Sequence, residues 1–151
     1  MTKEKTVVYD VDGVLLNTDY IFREIFELKL KGDAKWDYFL KYCNSEKTKP
    51  IKEIKELWYK FAISFKTIFV STARNEKCRD ATHTKLWNTG FIFPEENLLM
   101  REDGDYRSAK EVKKEHLEKI LENYEIVAFI DNDLDNCLMA KELGILALRK
   151  V

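Results

Sequence analysis

Two aspartates one residue apart follow an apolar segment near the N-terminus. The run from Val7 to Tyr9 predicts a buried β-strand, and Asp10, Asp12 and Gly13 come directly after it. Side chains i and i+2 of an extended chain point the same way, so both carboxylates are expected to project from the strand's C-terminal end. Two such groups suit magnesium binding, or a nucleophile beside an acid and base.

Other ionisable and hydroxyl side chains follow later predicted strands or lie near the start of a predicted helix. These residues are Ser71, Thr72, Arg74, Lys113, Asp131, Asn132, Asp133 and Asp135. The C-terminal ends of parallel strands share one edge of a sheet, and ligands bind at that edge in open α/β folds. We therefore expect these groups to meet Asp10 and Asp12 in one pocket. Its acids suit a hard cation, and its hydroxyl and cationic groups suit phosphate oxygens.

Predicted strands alternate with predicted helices along most of the chain. Strands are expected at Thr6–Tyr9, Thr67–Val70, Asn97–Met100, Glu125–Ile130 and Ile145–Leu148. Helices are expected at Thr18–Leu30, Ala34–Cys43, Pro50–Phe61, Glu76–Asn88, Ser108–Leu121 and Leu134–Leu143. This alternation predicts a single α/β domain, residues 1–151, with a parallel sheet of about five strands flanked by helices. Residues 17–49 break the alternation and are predicted to form a small helical cap insertion.

The composition is typical of a globular domain. Of the 151 residues, 45% are hydrophobic and 35% charged, and the net charge of −1 excludes a polycation built for non-specific nucleic-acid binding. Ten lysines and five acidic residues nevertheless lie between positions 28 and 66. This basic, aromatic region fits either contact with a nucleic-acid strand or amphipathic helices with solvated lysines. Three cysteines without CxxC spacing, and no signal-peptide or membrane-spanning pattern, predict a cytoplasmic protein.

The polar residues that follow the strands occur in the order of a known series of motifs. They resemble the four motifs of the haloacid dehalogenase-like (HAD) phosphohydrolases: Asp10-Val11-Asp12-Gly13-Val14, Ser71-Thr72, Lys113, and Asp131 with Asp135. A closer resemblance is to the 3′-phosphatase domain of phage-type polynucleotide kinase-phosphatases. In that family the second motif carries Arg two positions after its hydroxyl residue, as Arg74 follows Thr72. The segments Arg101–Arg107 and Val112–Glu115 are similar to the family's run before its fourth motif.

The resemblance implies a Rossmann-like (HAD) sheet and a magnesium-dependent phosphatase that removes a 3′-phosphate from nucleic acid ends. By this resemblance Asp10 would attack phosphorus and form an aspartyl-phosphate, and Asp12 would serve as general acid and then base. Thr72 and Lys113 would hold the phosphate oxygens. The implied substrate-binding residues are Arg74, Arg101 and Arg107. The alternatives are a surface ion pair for Arg74 and a solvated, charged loop for Arg101 and Arg107. The implied Mg²⁺ site comprises Asp10, Asp12 through its backbone carbonyl, Asp131, Asn132 and Asp135. Neither a membrane nor an obligate protein partner is implied.

Several departures and alternatives stay open. Asn132 stands where the closer family has a second Asp, so Asp133 or Asp135 would supply that acid, and no GxxxxGK[ST] loop for a kinase half is present. The alternatives are a phosphatase of mononucleotides or small phosphometabolites, and a non-catalytic phosphate- or metal-binding protein. An EF-hand loop from Asp131 to Glu142 is disfavoured, because a strand-like run precedes it where an EF-hand needs a helix.

Four remaining residues are interpreted as structural. His83 and His116 lie on predicted helices beside charged residues and are expected to be exposed, with no partner at zinc-binding spacing. Cys78 and Cys137 are expected to pack as small apolar residues.

Overall fold

The structure, a computed structural model, describes residues 2–151. Its elements in chain order are β1 (Glu4–Tyr9), β2 (Leu16–Asn17), α1 (Asp19–Glu27), α2 (Gly32–Tyr42), β3 (Lys49–Pro50), α3 (Lys52–Ser64), β4 (Thr67–Asn75), a 3₁₀ turn (Glu76–Cys78), α4 (Arg79–Asn88), a 3₁₀ turn (Glu95–Asn97), β5 (Leu98–Arg101), α5 (Ala109–Leu121), β6 (Tyr124–Asp131), α6 (Leu134–Glu142) and β7 (Ala147–Arg149). Five strands form one parallel sheet in the order β5-β4-β1-β6-β7. The predicted fold class is therefore confirmed.

The central strand β1 is buried on both faces, which is why its sequence is a continuous apolar run instead of an alternating one. Val7 and Tyr9 pack into the cluster that includes Trp58 of α3. Val8 points to the other face, into the cluster that includes Leu117 of α5. Helices thus cover both faces of the sheet, and the strand ends that carry polar residues meet at one edge.

The structure corrects the predicted bounds of several elements, most clearly those of β4 and α3. Strand β4 continues to Asn75, whereas the sequence predicted an end at Val70, because after an irregularity Asn75 still pairs with Arg101 of β5. Pro50 was expected to open a helix but pairs with Leu16 in the antiparallel β2–β3 ribbon, so α3 begins at Lys52. A proline fits such a short strand because it has no N–H to leave unpaired.

Residues 17–49 contain two helices with a small core of their own. Ile21 and Ile25 of α1 pack against Phe39 of α2 and the adjacent Cys43. The β2–β3 ribbon joins the two ends of this segment, which we call the insertion. Whether it acts as a cap over a substrate stays a prediction.

The structure bears on an EF-hand loop after Asp131 and on a membrane-spanning helix. The segment before Asp131 is strand β6, paired with β1 and β7, so the EF-hand hypothesis fails for lack of the preceding helix. Within residues 2–151, no helix is both long enough and apolar enough to span a bilayer.

Candidate active site

Asp10 and Asp131 lie side by side at the ends of two neighbouring strands and share one lysine. Tyr9 of β1 pairs with Ile130 of β6, so the residue after each reaches the same edge of the sheet. Lys113, in the second turn of α5, places its Nζ 2.7 Å from Asp10 Oδ1 and 2.8 Å from Asp131 Oδ2. All three side chains are buried. The sequence predicted this convergence, and the lysine that provides it is Lys113.

The electrostatics of this trio favour a charged lysine between two carboxylates. Burial raises the pKa of Asp10 to about 7, helped by the nearby charges of Asp131 and Asp12 and opposed by Lys113. Burial alone would lower the pKa of Lys113, but the two carboxylates outweigh it, and the pKa is raised. Lys113 therefore stays protonated, and Asp10 depends on neighbouring cations for its negative charge.

Asp12 is held by a fork of hydrogen bonds from Arg74. Arg74 Nη2 donates to Asp12 Oδ1 at 2.7 Å, and Nε donates to Asp12 Oδ2 at 3.0 Å. The Arg74 side chain is fully buried, whereas Asp12 keeps some exposure. Such two-point pairs fix orientation as well as charge. Asp12 is thus locked in one direction with one edge open to solvent.

The same guanidinium also connects Asp12 to the insertion and to α4. Arg74 Nη1 donates to Asn44 Oδ1 at 2.7 Å and to Thr82 Oγ1 at 3.1 Å, and Nη2 reaches the carbonyl of Cys43 at 3.3 Å. Neither Asn44 nor Thr82 was foreseen, because each lies in a segment that is ordinary for a loop or a helix. These donors are engaged by protein groups, and two of them hold the Asp12 carboxylate. A direct contact between Arg74 and substrate stays a prediction.

The other predicted substrate-binding arginines also contact protein acceptors. Arg101 donates from Nε to the carbonyl of Ala73 at 3.0 Å and from Nη1 to the carbonyl of Asp105 at 3.0 Å. Arg107 is more exposed and pairs with Asp105 at 2.8 Å and Glu115 at 2.6 Å. These contacts order the loop that precedes α5. A substrate contact for Arg101 or Arg107 stays a prediction.

Thr72 and Ser71 are adjacent in β4 but face different surroundings. Thr72 is buried, and its Oγ1 accepts the backbone N–H of Arg74 at 3.1 Å. Accepting that bond leaves its hydroxyl hydrogen available to donate. Ser71 instead bonds His116 Nδ1 at 2.8 Å within the buried layer between β4 and α5. Of the two hydroxyls, Thr72 is therefore the one suited to a phosphate oxygen.

The segment after β6 divides its side chains between the trio and the start of α6. Asp131 Oδ1 accepts the N–H of Asp133 at 2.9 Å, and its Oδ2 accepts Nδ2 of Asn136 at 3.2 Å. Asp133 caps α6 by accepting the N–H of Asn136. Asp135 lies exposed in the first turn of α6 and joins none of these contacts. Asn136 is thus a site residue that sequence reasoning missed.

Three oxygens that suit a hard cation face the side-chain amide of Asn132. Asp10 and Asp131 each turn one oxygen to Lys113 and the other to this amide, which the backbone carbonyl of Asp12 also approaches. The end of the Asn132 amide that faces these oxygens lies 3.2 Å from Asp10 Oδ2, 3.2 Å from Asp12 O and 3.3 Å from Asp131 Oδ1. Carboxylate, carbonyl and amide oxygens are ligands that Mg²⁺ takes. These residues therefore fit magnesium.

This oxygen set depends on main-chain and amide groups. Within residues 2–151, no three His, Cys, Asp or Glu side chains are grouped to hold a metal by themselves. The Asp12 carboxylate faces Arg74, so among the predicted ligands Asp12 can contribute only through its carbonyl. A Mg²⁺ ion here would have two carboxylate ligands and would keep several waters, as is usual for this ion.

His116 is buried, contrary to the prediction that it is exposed. Its Nδ1 bonds the hydroxyl of Ser71, and its Nε2 lies 3.1 Å from the carbonyl of Met100. It sits one turn after Lys113 on α5 and ties that helix to β4 and β5. Burial lowers the pKa of His116 to about 4. The imidazole is therefore neutral, and it fixes the helix that carries Lys113.

Stability is expected to fall on acidification because of His116. The unfolded histidine takes up a proton near pH 6.5, whereas the folded one does so only near pH 4, so stability is lost as the pH falls between these values. The expected loss by pH 4 is about 3 kcal/mol. Urea unfolding between pH 7 and pH 4.5 would show a shallower decline in a His116→Gln variant than in the parent. Equal declines would contradict this assignment.

The sequence matches the model of a protein family described as the HAD superfamily, subfamily IIIB (acid phosphatase), over residues 1–143. Among curated protein sequences, none matches this chain. A chain of the Pnkp1/Rnl/Hen1 RNA repair complex is similar with a TM-score of 0.75 and 21% identity, over 97% of this chain and 42% of that one. Our chain thus spans less than half of that relative.

Two other solved structures are similar over a larger share of their own length. The class C acid phosphatase from Bacillus anthracis has a TM-score of 0.69 and 17% identity, over 100% of this chain and 69% of that one. A HAD-family enzyme from Bacteroides thetaiotaomicron, in a magnesium complex, has a TM-score of 0.58 and 17% identity, over 98% and 93% of the two chains. Identities this low speak for a shared fold.

The family match covers nearly the whole chain, and the sheet order brings the four resembling motifs to one edge. The predicted resemblance to HAD phosphohydrolases is confirmed. The chain belongs to the HAD superfamily, subfamily IIIB.

Proposed function

We propose that this protein is a magnesium-dependent phosphatase that works through an aspartyl-phosphate and removes 3′-phosphates from nucleic acid ends. The observation that carries the chemistry is the pair of aspartates with separate environments. Asp10 contacts a buried ammonium at 2.7 Å, and Asp12 is clamped by a buried guanidinium. Two carboxylates placed so close together, yet held so differently, are suited to different roles.

Asp10 is the proposed nucleophile. Its carboxylate needs nearby positive charge to stay ionised while buried, and Lys113 supplies it. Lys113 and the hydroxyl of Thr72 would also donate to the phosphate oxygens, where charge spreads in the transition state. Asp131 holds Lys113 from the other side at 2.8 Å, so the ammonium is fixed before substrate arrives.

Asp12 is the proposed general acid and base. Protonated, it would donate to the leaving oxygen, and ionised, it would take a proton from the attacking water. The Arg74 fork holds the carboxylate in one orientation for both steps. The backbone N–H of Arg74 donates to the Thr72 hydroxyl, so the residue that orients Asp12 also orients Thr72.

Magnesium is the proposed cofactor, held by Asp10, the carbonyl of Asp12, Asp131 and Asn132. When bound, it would offset the repulsion between the anionic nucleophile and the phosphate. The fit of the oxygen set supports this assignment, as does the magnesium complex of the Bacteroides relative. Asp135 as a further contributor stays a prediction.

The proposed substrate is a 3′-phosphorylated nucleic acid end. The similarity to a chain of an RNA repair complex supports it. So does a cleft of about 370 Å³ in the insertion, lined by Arg23, Lys47 and Lys49 together with Asn17, Tyr20 and Glu24. Tyr20 of this lining bonds Ser45, the neighbour of Asn44, and Asn44 contacts Arg74. Its cations are suited to a phosphodiester backbone that leaves the site.

A second candidate is a phosphatase of mononucleotides or small phosphometabolites. The family description and the class C acid phosphatase relative favour it. The two candidates share the chemistry of Asp10 and Asp12 and differ in what the insertion contacts. We further propose that the insertion is a substrate-facing cap and that the protein acts in the cytoplasm, where its three free cysteines would stay reduced.

Release of phosphate from a 3′-phosphorylated oligonucleotide is expected to require Mg²⁺ and to exceed release from mononucleotides in kcat/KM at low salt. Because the cleft would bind the backbone ionically, kcat/KM should fall as salt rises, with a slope of about −0.7 per phosphate contact. The double variant Lys47→Ser/Lys49→Ser should flatten that slope and leave a small ester unaffected.

The matched control removes two lysines from the opposite edge of the sheet, Lys119 and Lys141, in the last turns of α5 and α6. This control variant should show the same dependence of kcat/KM on salt as the parent. Higher kcat/KM for a mononucleotide or sugar phosphate would establish the second candidate. Full activity in excess chelator would contradict the magnesium assignment.

A further inference from the structure

The Asn132 amide can present either of its ends to the same three oxygens. With its nitrogen toward them, its two hydrogens are within reach of Asp10 Oδ2 and Asp12 O at 3.2 Å and of Asp131 Oδ1 at 3.3 Å. With its oxygen toward them, four oxygens face one another, which is favourable only around a cation. An amide is the side chain that offers both a donor and an acceptor on one rotating group.

The surroundings of Asn132 fix its backbone and leave its amide free to turn. Its carbonyl accepts Nε of Arg149 at 3.3 Å, and it stands between the last residue of β6 and the cap of α6. Gly13, with φ of +82°, leaves the space on the outer side. A Cβ at Gly13 would lie 2.3 Å from the outer amide atom and 2.8 Å from Cγ of Asn132. Either end of the amide fits there only because position 13 has no side chain.

The charges around Asn132 favour a neutral amide at this position over a carboxylate. Asp10 and Asp131 face a single ammonium, that of Lys113, and the carbonyl of Asp12 adds further negative potential. Asn132 is exposed, but the Asp10 and Asp131 side chains beside it are buried, so a third carboxylate at position 132 would leave three anions against one cation. A neutral amide avoids that repulsion and, in one orientation, offers N–H hydrogens to these oxygens.

From this geometry we infer that Asn132 is a two-state positioning residue. Its amide nitrogen holds the three oxygens together in the metal-free protein, and its oxygen replaces the nitrogen when a divalent cation binds. The site therefore stays assembled without metal, and the affinity for metal is lower than a carboxylate at position 132 would give. This inference rests on the magnesium site of the proposed function.

Two variants separate the donor role from the ligand role. Asn132→Asp keeps the shape and removes the donor, and Asn132→Leu removes both donor and ligand. In excess chelator at pH 7.5, both should melt below the parent, by about 3 °C for a change of this kind in a domain of this size. In isothermal titration with MgCl₂, Asn132→Asp should bind about tenfold more tightly and Asn132→Leu about tenfold more weakly.

Asn123→Asp is the matched control. Asn123 is exposed and directly precedes β6, at the opposite edge of the sheet, so the variant adds the same charge far from the site. It should change neither the melting temperature nor the Mg²⁺ affinity. In the parent labelled with ¹⁵N, the side-chain amide signal missing from Asn132→Asp should move on addition of MgCl₂.

The outcomes distinguish this inference from the proposed function. If Asn132→Leu melts with the parent in chelator, or if Asn132→Asp melts above it, the donor role is overturned. If the parent shows no binding of MgCl₂, the proposed magnesium site fails, and the inferred ligand state fails with it. The melting temperatures in chelator still report on the donor state in that case.

Discussion

Asp10→Asn is expected to abolish phosphate release while the protein stays folded. The amide keeps the shape of the carboxylate but cannot attack phosphorus, and loss of a nucleophile of this kind costs at least about 10⁴-fold in kcat. Folding should survive because Lys113 keeps its bond to Asp131. Initial rates with a chromogenic phosphate ester, and thermal melting of the same samples, measure the two parts of this prediction.

The control for Asp10→Asn is the same change at Asp33, in the first turn of α2. That residue is exposed and lies at the opposite end of α2 from Asn44. Its variant should keep parent activity. A folded Asp10→Asn protein that released phosphate near the parent rate would remove Asp10 from the role of nucleophile. Loss of activity together with loss of the melting transition would indicate a structural role for Asp10 instead.

Arg74→Lys should lower kcat by about 10²–10³-fold with little change in KM. Lysine keeps the positive charge but cannot reproduce the fork on Asp12, nor the bonds that the same group makes to Asn44 and Thr82. Asp12 would then lose the orientation needed for proton transfer. The loss should be equal for a small ester and an oligonucleotide, and the pH profile of kcat should change shape.

A substrate clamp at Arg74 would give a different pattern. KM would rise, the oligonucleotide would suffer more than the small ester, and the pH profile of kcat would keep its form. Arg79→Lys serves as the control, since the Arg79 guanidinium bonds only the carbonyl of Leu98 among the contacts described for it. That variant should keep parent kinetics and show whether loss of an arginine bond in this region disturbs folding.

The polar residues at the strand ends could be located from sequence because a parallel sheet leaves few places for them. An apolar run followed by Asp10, and another followed by Asp131, suffices to bring both to one edge. The capping box at Ser108 then sets the start of α5 and so the position of Lys113 in its second turn. The structure contains both hydrogen bonds of that box. Local sequence patterns that determine where a strand or helix begins and ends also determine where its polar side chains lie.

Contacts between distant segments left no such pattern. Arg74 binds Asp12, which is 62 positions away, and Asn44 is one polar residue among several in its loop. His116 did leave a signal that was outweighed by its charged neighbours. It lies four residues after Val112 and four before Ile120, both buried, so helical periodicity places it on the inner face of α5. The spacing was informative, and the composition around it was misleading.

The two-residue ribbon brings together the two ends of the insertion. Its chain leaves at Asn17 and returns at Lys49, and these two residues are paired. A segment of another length or shape could therefore be grafted between them without moving β1 or α3. The graft would have to retain an acceptor where Asn44 stands, because Arg74 would otherwise carry an unpaired donor beside Asp12. The choice of a replacement segment is thus constrained most at Asn44.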